Sequence, residues 1–201
     1  MEFLSREFDR RVDRCTCGIG ALSVLLAMVM MWATPSRSAP TMASEYQLKA
    51  AFLFNFTQFV EWPPEAFEKP ASPLTICILG DDPFDGYLDE TVRGETVNGR
   101  PLVVQRYHPT NGQVDGIGAC HVLFVSTSEA QHLTQVLNSL KGHSVLTVSD
   151  LDDFTRAGGI IRFGMVANKI RLKISLDAAQ AAKLTISSKL LRPAEIVARG
   201  E

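Results

Sequence analysis

Between residues 44 and 60 apolar side chains recur at three- and four-residue steps, through Leu48, Ala51, Phe52, Phe56 and Phe59. That spacing predicts an entry helix with one apolar face. Ser44 and Gln47 stand at capping-box positions, and Trp62-Pro63-Pro64 ends the helix because proline has no amide hydrogen to continue the ladder. The next run, Leu74-Thr-Ile-Cys-Ile-Leu79, is continuously apolar or β-branched, the signature of a strand buried on both faces. A short helix is predicted over residues 84–92, a turn at Asn98-Gly99, and strands over 101–107 and 120–125. Leu133, Val136, Leu137 and Leu140 give helical spacing to residues 128–140, with Ser126 or Ser128 as N-cap and Gly142 as the stop.

Residues 145–148 read as another strand, 150–155 as one helical turn, and Gly158-Gly159 as a tight corner. Segments 160–163 and 170–174, turned at Asn168, form an antiparallel hairpin at the sheet edge, and a last helix runs from its cap Asp177 to Ala182. Strands alternating with helices place residues 44–201 in the α/β class as one domain. Its sheet is mixed but mostly parallel, flanked by helices on both faces and closed by the antiparallel hairpin.

The amino terminus follows a different rule. Arg6, Arg10, Arg11 and Arg14 precede an uncharged stretch, residues 15–36, whose centre is almost wholly apolar and which ends among Pro35, Ser36, Ser38 and Ala39. Basic flank, apolar segment and small residues in that order predict a signal peptide over residues 1–43, cut after Ser38 or Ala43. The alternative is a retained anchor, although an apolar centre of about 15 residues falls short of the ~20 that span a bilayer. Cys15 and Cys17 precede the apolar segment, where no lipid could be attached at the cleavage point. Export therefore leaves Cys77 and Cys120 alone in an oxidising compartment, where they form one disulfide or remain two buried thiols.

The 201 residues are 46% hydrophobic and 21% charged, enough apolar material for a sizeable core. A net charge of −2 provides no overall basic footprint for nucleic acid. His108, His121, His132 and His143 lack metal-ligand spacing with each other or with cysteine, so no metal is expected. Gly116-Ile-Gly118 precedes a strand and lacks the third glycine of a dinucleotide loop; no Walker sequence or nucleophile elbow occurs. No catalytic residue and no cofactor are therefore assigned. Asp81, Asp82 and Asp85 cluster after the first long strand, where they could serve a ligand or simply solvate a loop and a helix start.

With that frame in place, Tyr46-Gln-Leu-Lys-Ala-Ala-Phe-Leu-Phe-Asn-Phe56 and Phe59-Val-Glu-Trp-Pro63 resemble the opening signature of the YfiR family. Further similar segments follow in order: Ile76-Cys-Ile-Leu-Gly80, Cys120-His-Val-Leu-Phe-Val125, Val145-Leu-Thr-Val-Ser-Asp150, Gly158-Gly159-Ile-Ile161 and Ser187-Ser-Lys-Leu-Leu191. The resemblance implies a periplasmic repressor that binds the periplasmic sensory domain of an inner-membrane diguanylate cyclase and lowers cyclic di-GMP signalling. Capture of the repressor by an outer-membrane, peptidoglycan-associated lipoprotein, or redox change, would relieve that repression. It also implies a family disulfide position at Cys77 and Cys120. The second cysteine pair that some relatives carry near the Gly158-Gly159 corner is missing, which puts a two-disulfide scheme in doubt.

Such a role needs a surface rather than a nucleophile. The expected partner-binding segment is Leu184, Ile186, Lys189, Leu190 and Leu191, whose leucines would otherwise close the core. A homodimer is a further partnership open to the domain. The alternative reading is a small-molecule sensor with a ligand held by Asp81, Asp82, Gly158 and Gly159 near the strand ends.

Overall fold

A computed structural model describes residues 42–109 and 114–197, with side chains from Glu45 onward. The expected signal segment lies outside the described residues except at its last positions. The entry helix, α1 (Met42–Phe59), begins two residues before the Ser44 expected to cap it. Its buried face is also rotated from the one expected. Ala50, Leu53 and Phe56 are buried together with Lys49 and Thr57, while Leu48 is 49% exposed. Apolar residues occur all round this helix, so spacing alone does not select a face, and Lys49 is drawn inward by an acidic partner described below.

Among the described residues there are ten strands: β1 (Val60–Glu61), β2 (Leu74–Leu79), β3 (Thr96–Val97), β4 (Arg100–Tyr107), β5 (Val122–Val125), β6 (Leu146–Ser149), β7 (Ile161–Val166), β8 (Lys169–Ser175), β9 (Thr185–Ile186) and β10 (Glu195–Val197). Eight of them form one sheet in the order β10-β8-β7-β6-β5-β2-β4-β3, parallel from β4 through β7 and antiparallel at β7–β8 and β3–β4. All six residues of β2 are buried, as its continuous apolar run requires. β1 and β9 make a separate antiparallel pair, Val60 opposite Ile186 and Glu61 opposite Thr185.

The β7–β8 hairpin is not the sheet edge that was expected. β10 pairs in parallel with β8, Ile196 opposite Ile174, and takes the edge position. Its three residues, Glu195-Ile-Val197, are too few to stand out as a strand in the sequence. Both two-residue turns, Asn98-Gly99 and Ala167-Asn168, hold positive φ at both positions, which matches the right-handed twist of the strands they join.

Short helices close the two faces: α2 (Tyr87–Val92), α3 (Leu133–Ser139), α4 (Leu176–Ala181) and α5 (Ser188–Leu191). α2 starts later than expected because Asp85 and Gly86 are in the left-handed region. Residues 127–132 form a 3-10 helix ahead of α3, and residues 150–155 make turns instead of a helical turn. Ser175, not Asp177, caps α4 by accepting from the Ala178 amide. One core joins α1, α2 and α5 to one sheet face through Phe56, Phe84, Leu88, Phe124, Phe163 and Leu190. A second core packs α3 on the other face around Cys77, Leu123, Val125, Val136 and Phe154. Among the described residues no helix is long and apolar enough to cross a membrane.

Candidate functional site

Cys77 and Cys120 are joined by a disulfide, with Cα atoms 6.0 Å apart. The bond is not between strand partners, since Cys77 lies opposite Leu123 on β5. Cys120 instead ends a 3-10 turn, Ile117–Ala119, just ahead of β5, and both cysteines are buried in the second core. The 43-residue separation includes β3 and β4, so the bond ties the middle of β2 to the entrance of β5 across the chain that builds that end of the sheet.

An aromatic clasp adjoins the bond. His121, the residue after Cys120, stacks on Phe67 with ring centroids 4.4 Å apart, and the Arg100 guanidinium lies 3.6 Å above the other partner of that stack, the Phe67 ring. Trp62 meets the His121 ring edge-on, and the Thr75 amide donates to His121 Nδ1 at 3.1 Å. Arg100 also donates to the main-chain oxygens of Lys69 and Ser72. The connection from α1 to β2 is thereby fastened to the entrance of β5. Burial pushes the His121 imidazolium down to about 4, assisted by Arg100 and opposed by a main-chain contact to Ala66, so the ring is neutral at physiological pH. No local sequence signal marks this clasp, because its members come from three separate segments, the connection into β2, the start of β4 and the entrance of β5.

The carboxyl ends of the parallel strands, where open α/β sheets commonly bind ligands, are laced shut. The strand order reverses between β2 and β5, and there the Asp81 amide donates to Ser128 Oγ at 3.0 Å. A Cβ on Gly80 would sit 2.2 Å from the same Ser128 oxygen, so this glycine is required by close approach of the two loops. Asp82 accepts from the Phe84 amide and pairs with Arg106, which also binds Asp89. The Arg106 pairing holds the Asp89 carboxyl below the ordinary range.

Gly158 and Gly159 do not join Asp81 and Asp82 in a ligand site. They precede β7, whose Ile161 lies level with Val148 of β6, and Val148 lies level with Phe124 and Ile78. The register therefore sets Gly159 roughly 13 Å along the strands and 14 Å across them from Gly80. Gly159 is packed on Phe154, where a Cβ would fall 2.2 Å from the ring. Gly158 instead borders a groove of about 400 Å³ between Leu137, Leu140 and His143 on one side and Ala178 and Ala182 on the other.

A buried ion cluster fixes the start of α1. Lys49 Nζ binds Asp150 Oδ2 at 2.9 Å and Glu45 Oε1 at 2.6 Å, and the Tyr46 hydroxyl donates to the same Asp150 oxygen. Burial, followed by this bond to Asp150, raises the Tyr46 phenol well above its ordinary range. Lys49 also lies 4.2 Å from the Tyr46 ring centroid. Among the described residues no group of three or more His, Cys, Asp or Glu side chains is arranged to hold a metal.

The C-terminal segment divides in two. Leu184 and Leu190 are buried in the first core, so for these two the core-closing alternative holds. Ile186 and Leu191 are half-buried against that core, and Lys189 is exposed. β9 binds β1, and the Ser187 amide donates to the Phe59 carbonyl at 2.8 Å, so this segment straps the carboxyl end of α1.

The sequence model of a family described as YfiR/HmsC-like matches residues 46–195, almost the whole described body. Among solved structures, a conserved domain protein from Vibrio cholerae O1 biovar eltor superposes with a TM-score of 0.53 at 10% identity, covering 77% of this chain and 60% of that one. Identity at that level speaks to the fold alone, and this chain spans less than two thirds of the Vibrio protein.

Proposed function

The chain belongs to the YfiR/HmsC-like family, and from that membership we propose that it is an exported regulator that binds the periplasmic sensory domain of an inner-membrane diguanylate cyclase and holds the cyclase inactive. The observation that carries this reading is the family match itself, which runs from Tyr46 in α1 to Glu195 in β10. A buried Cys77–Cys120 bond is in keeping with an oxidising compartment. A cut after Ser38 would leave α1 whole, whereas a cut after Ala43 would remove its first two residues.

In this reading the strap supplies part of the contact surface through Lys189 and the open sides of Ile186 and Leu191, while Leu184 and Leu190 support it from within. An outer-membrane, peptidoglycan-associated lipoprotein competes for the protein and so relieves repression, and a homodimer would use the same strap. Loss of the disulfide loosens the entrance of β5 and weakens the repressing form. The small-molecule reading is not favoured, because Asp81 and Asp82 lie across the sheet from Gly158 and Gly159.

The test is deletion of the gene in its own cell together with affinity capture from envelope extracts by the oxidised protein. Repression predicts raised cyclic di-GMP on deletion and recovery of a membrane cyclase on the beads. Unchanged cyclic di-GMP with no cyclase captured would end the proposal.

A further inference from the structure

At its β7–β8–β10 end the sheet has one packed face and one bare face. Phe163, Leu172 and Ile174 point into the first core, while the alternate residues Arg162, Gly164 and Val166 of β7 and Lys169, Arg171 and Lys173 of β8 lie on the opposite side. Antiparallel register sets Arg162 beside Lys173, Gly164 beside Arg171, and Val166 beside Lys169. Arg192 reaches the same groove, whose volume is about 460 Å³.

Four strand cations thus share one face, and Arg192 lines the groove beside three of them, in a chain whose formal net charge is −2. Arg162 is paired with Asp152, and Lys173 with Glu195, both at exposed carboxylates. Lys169, Arg171 and Arg192 have no ion pair among the described residues. The Nε of Arg162 is buried without a hydrogen-bond partner. Space is left for a visitor over Gly164, where an added Cβ would meet only the Arg171 carbonyl, at 3.7 Å.

Resting on the reading of the chain as a protein-binding regulator, we infer that this bare basic face docks an extended acidic segment of a partner protein, with carboxylates at alternate positions. Lys169, Arg171 and Lys173 are spaced by two residues along one strand, or about 7 Å between neighbours. An extended peptide repeats its same-side carboxylates at that interval, so successive acids would fall beside successive cations. Arginine adds a planar, paired donor set suited to carboxylate. A globular anion would use one or two of these cations and leave the rest idle; a strand uses the row.

The experiment uses two labelled peptides, alternating Glu-Val and its Gln-Val counterpart, titrated by fluorescence anisotropy at low and high salt. The Glu peptide is expected to bind about tenfold more tightly or better, and to weaken steeply with salt. Arg171→Glu should remove that preference while keeping the thermal midpoint, and Arg93→Glu, on the far side of the sheet, should keep it. Equal binding of both peptides, no binding, or a Glu preference that survives Arg171→Glu would overturn the inference. So would anionic vesicles capturing the protein in preference to the Glu peptide, or concentration-dependent self-association lost in Arg171→Glu. If wild-type protein captures a cyclase and Arg171→Glu captures it equally well, this docking surface fails while the function stands. If wild type captures none, the function fails, and the peptide titration alone decides the surface.

Discussion

The indole of Trp62 donates to the main-chain oxygen of His121 at 3.1 Å, which ties the segment leaving α1 to the residue that follows Cys120. The disulfide and the aromatic clasp therefore secure the same entrance to β5 from two directions, one covalent and one through stacking. Each can be removed without the other.

Acid should loosen the clasp first. The His121 pKa is about 4 in the folded protein against about 6.5 when unfolded, so the unfolded chain binds the extra proton between those values and stability rises with pH across that window. Stability from this residue is full above pH 6.5 and is lost progressively toward pH 4, a change of roughly 2–3 kcal/mol. His121→Asn, whose side-chain oxygen can still accept from Thr75, should flatten that part of the curve. Urea unfolding of both proteins from pH 7.5 to 4.5 checks it, and parallel curves would refute it.

Removing the covalent tie should act through the unfolded chain. Closing a loop of 43 residues restricts the unfolded ensemble by up to about 4 kcal/mol. Wild-type protein should lose thermal stability in strong reductant, and a Cys77→Ala, Cys120→Ala double variant should match the reduced protein and ignore reductant. Calorimetry with and without reductant measures both.

Lys49 is the charge on which α1 turns its face inward. Lys49→Met leaves Asp150 and Glu45 without their cation and should cost about 3 kcal/mol. Adding Asp150→Asn should recover about 1–2 kcal/mol of that, because the amide oxygen still accepts from Tyr46 and only the more exposed Glu45 anion remains unpaired. A denaturant double-mutant cycle reads the coupling, and strictly additive losses would show that the cluster is not a unit.

Gly159→Ala should destabilise the fold by about 1–3 kcal/mol, since its Cβ would enter the space of the Phe154 ring. Phe154→Leu in the same chain should relieve part of the loss. Thermal midpoints of the single and double variants decide the matter; an unaffected Gly159→Ala protein would mean the ring moves aside freely.

How much of this was legible beforehand follows from the range of each interaction. β2, β5 and β6 were readable because a strand buried on both faces writes a continuous apolar run into consecutive residues, as Leu74 to Leu79 does. The turn at Asn98-Gly99 was readable because positive φ at both positions strongly favours Asn followed by Gly. The face of α1 was not, because Lys49 becomes a core residue only through Asp150, 101 positions away. The disulfide pairing followed from cysteine count, but its route did not: Cys120 approaches from a 3-10 turn rather than along a strand. Gly158 and Gly159 were grouped with Asp81 and Asp82 because the sequence shows neither the direction in which β7 runs relative to β2 nor how many strands separate them. The clasp of Trp62, Phe67, Arg100 and His121 exists only in three dimensions.

β10 follows every other strand of the sheet in chain order. Until Glu195–Val197 arrive, β8 presents an unpaired row of amides and carbonyls on its outer side. A newly emerging copy must therefore carry a sticky margin until those residues are made, and a truncation that removes Glu195–Val197 would make that transient hazard permanent.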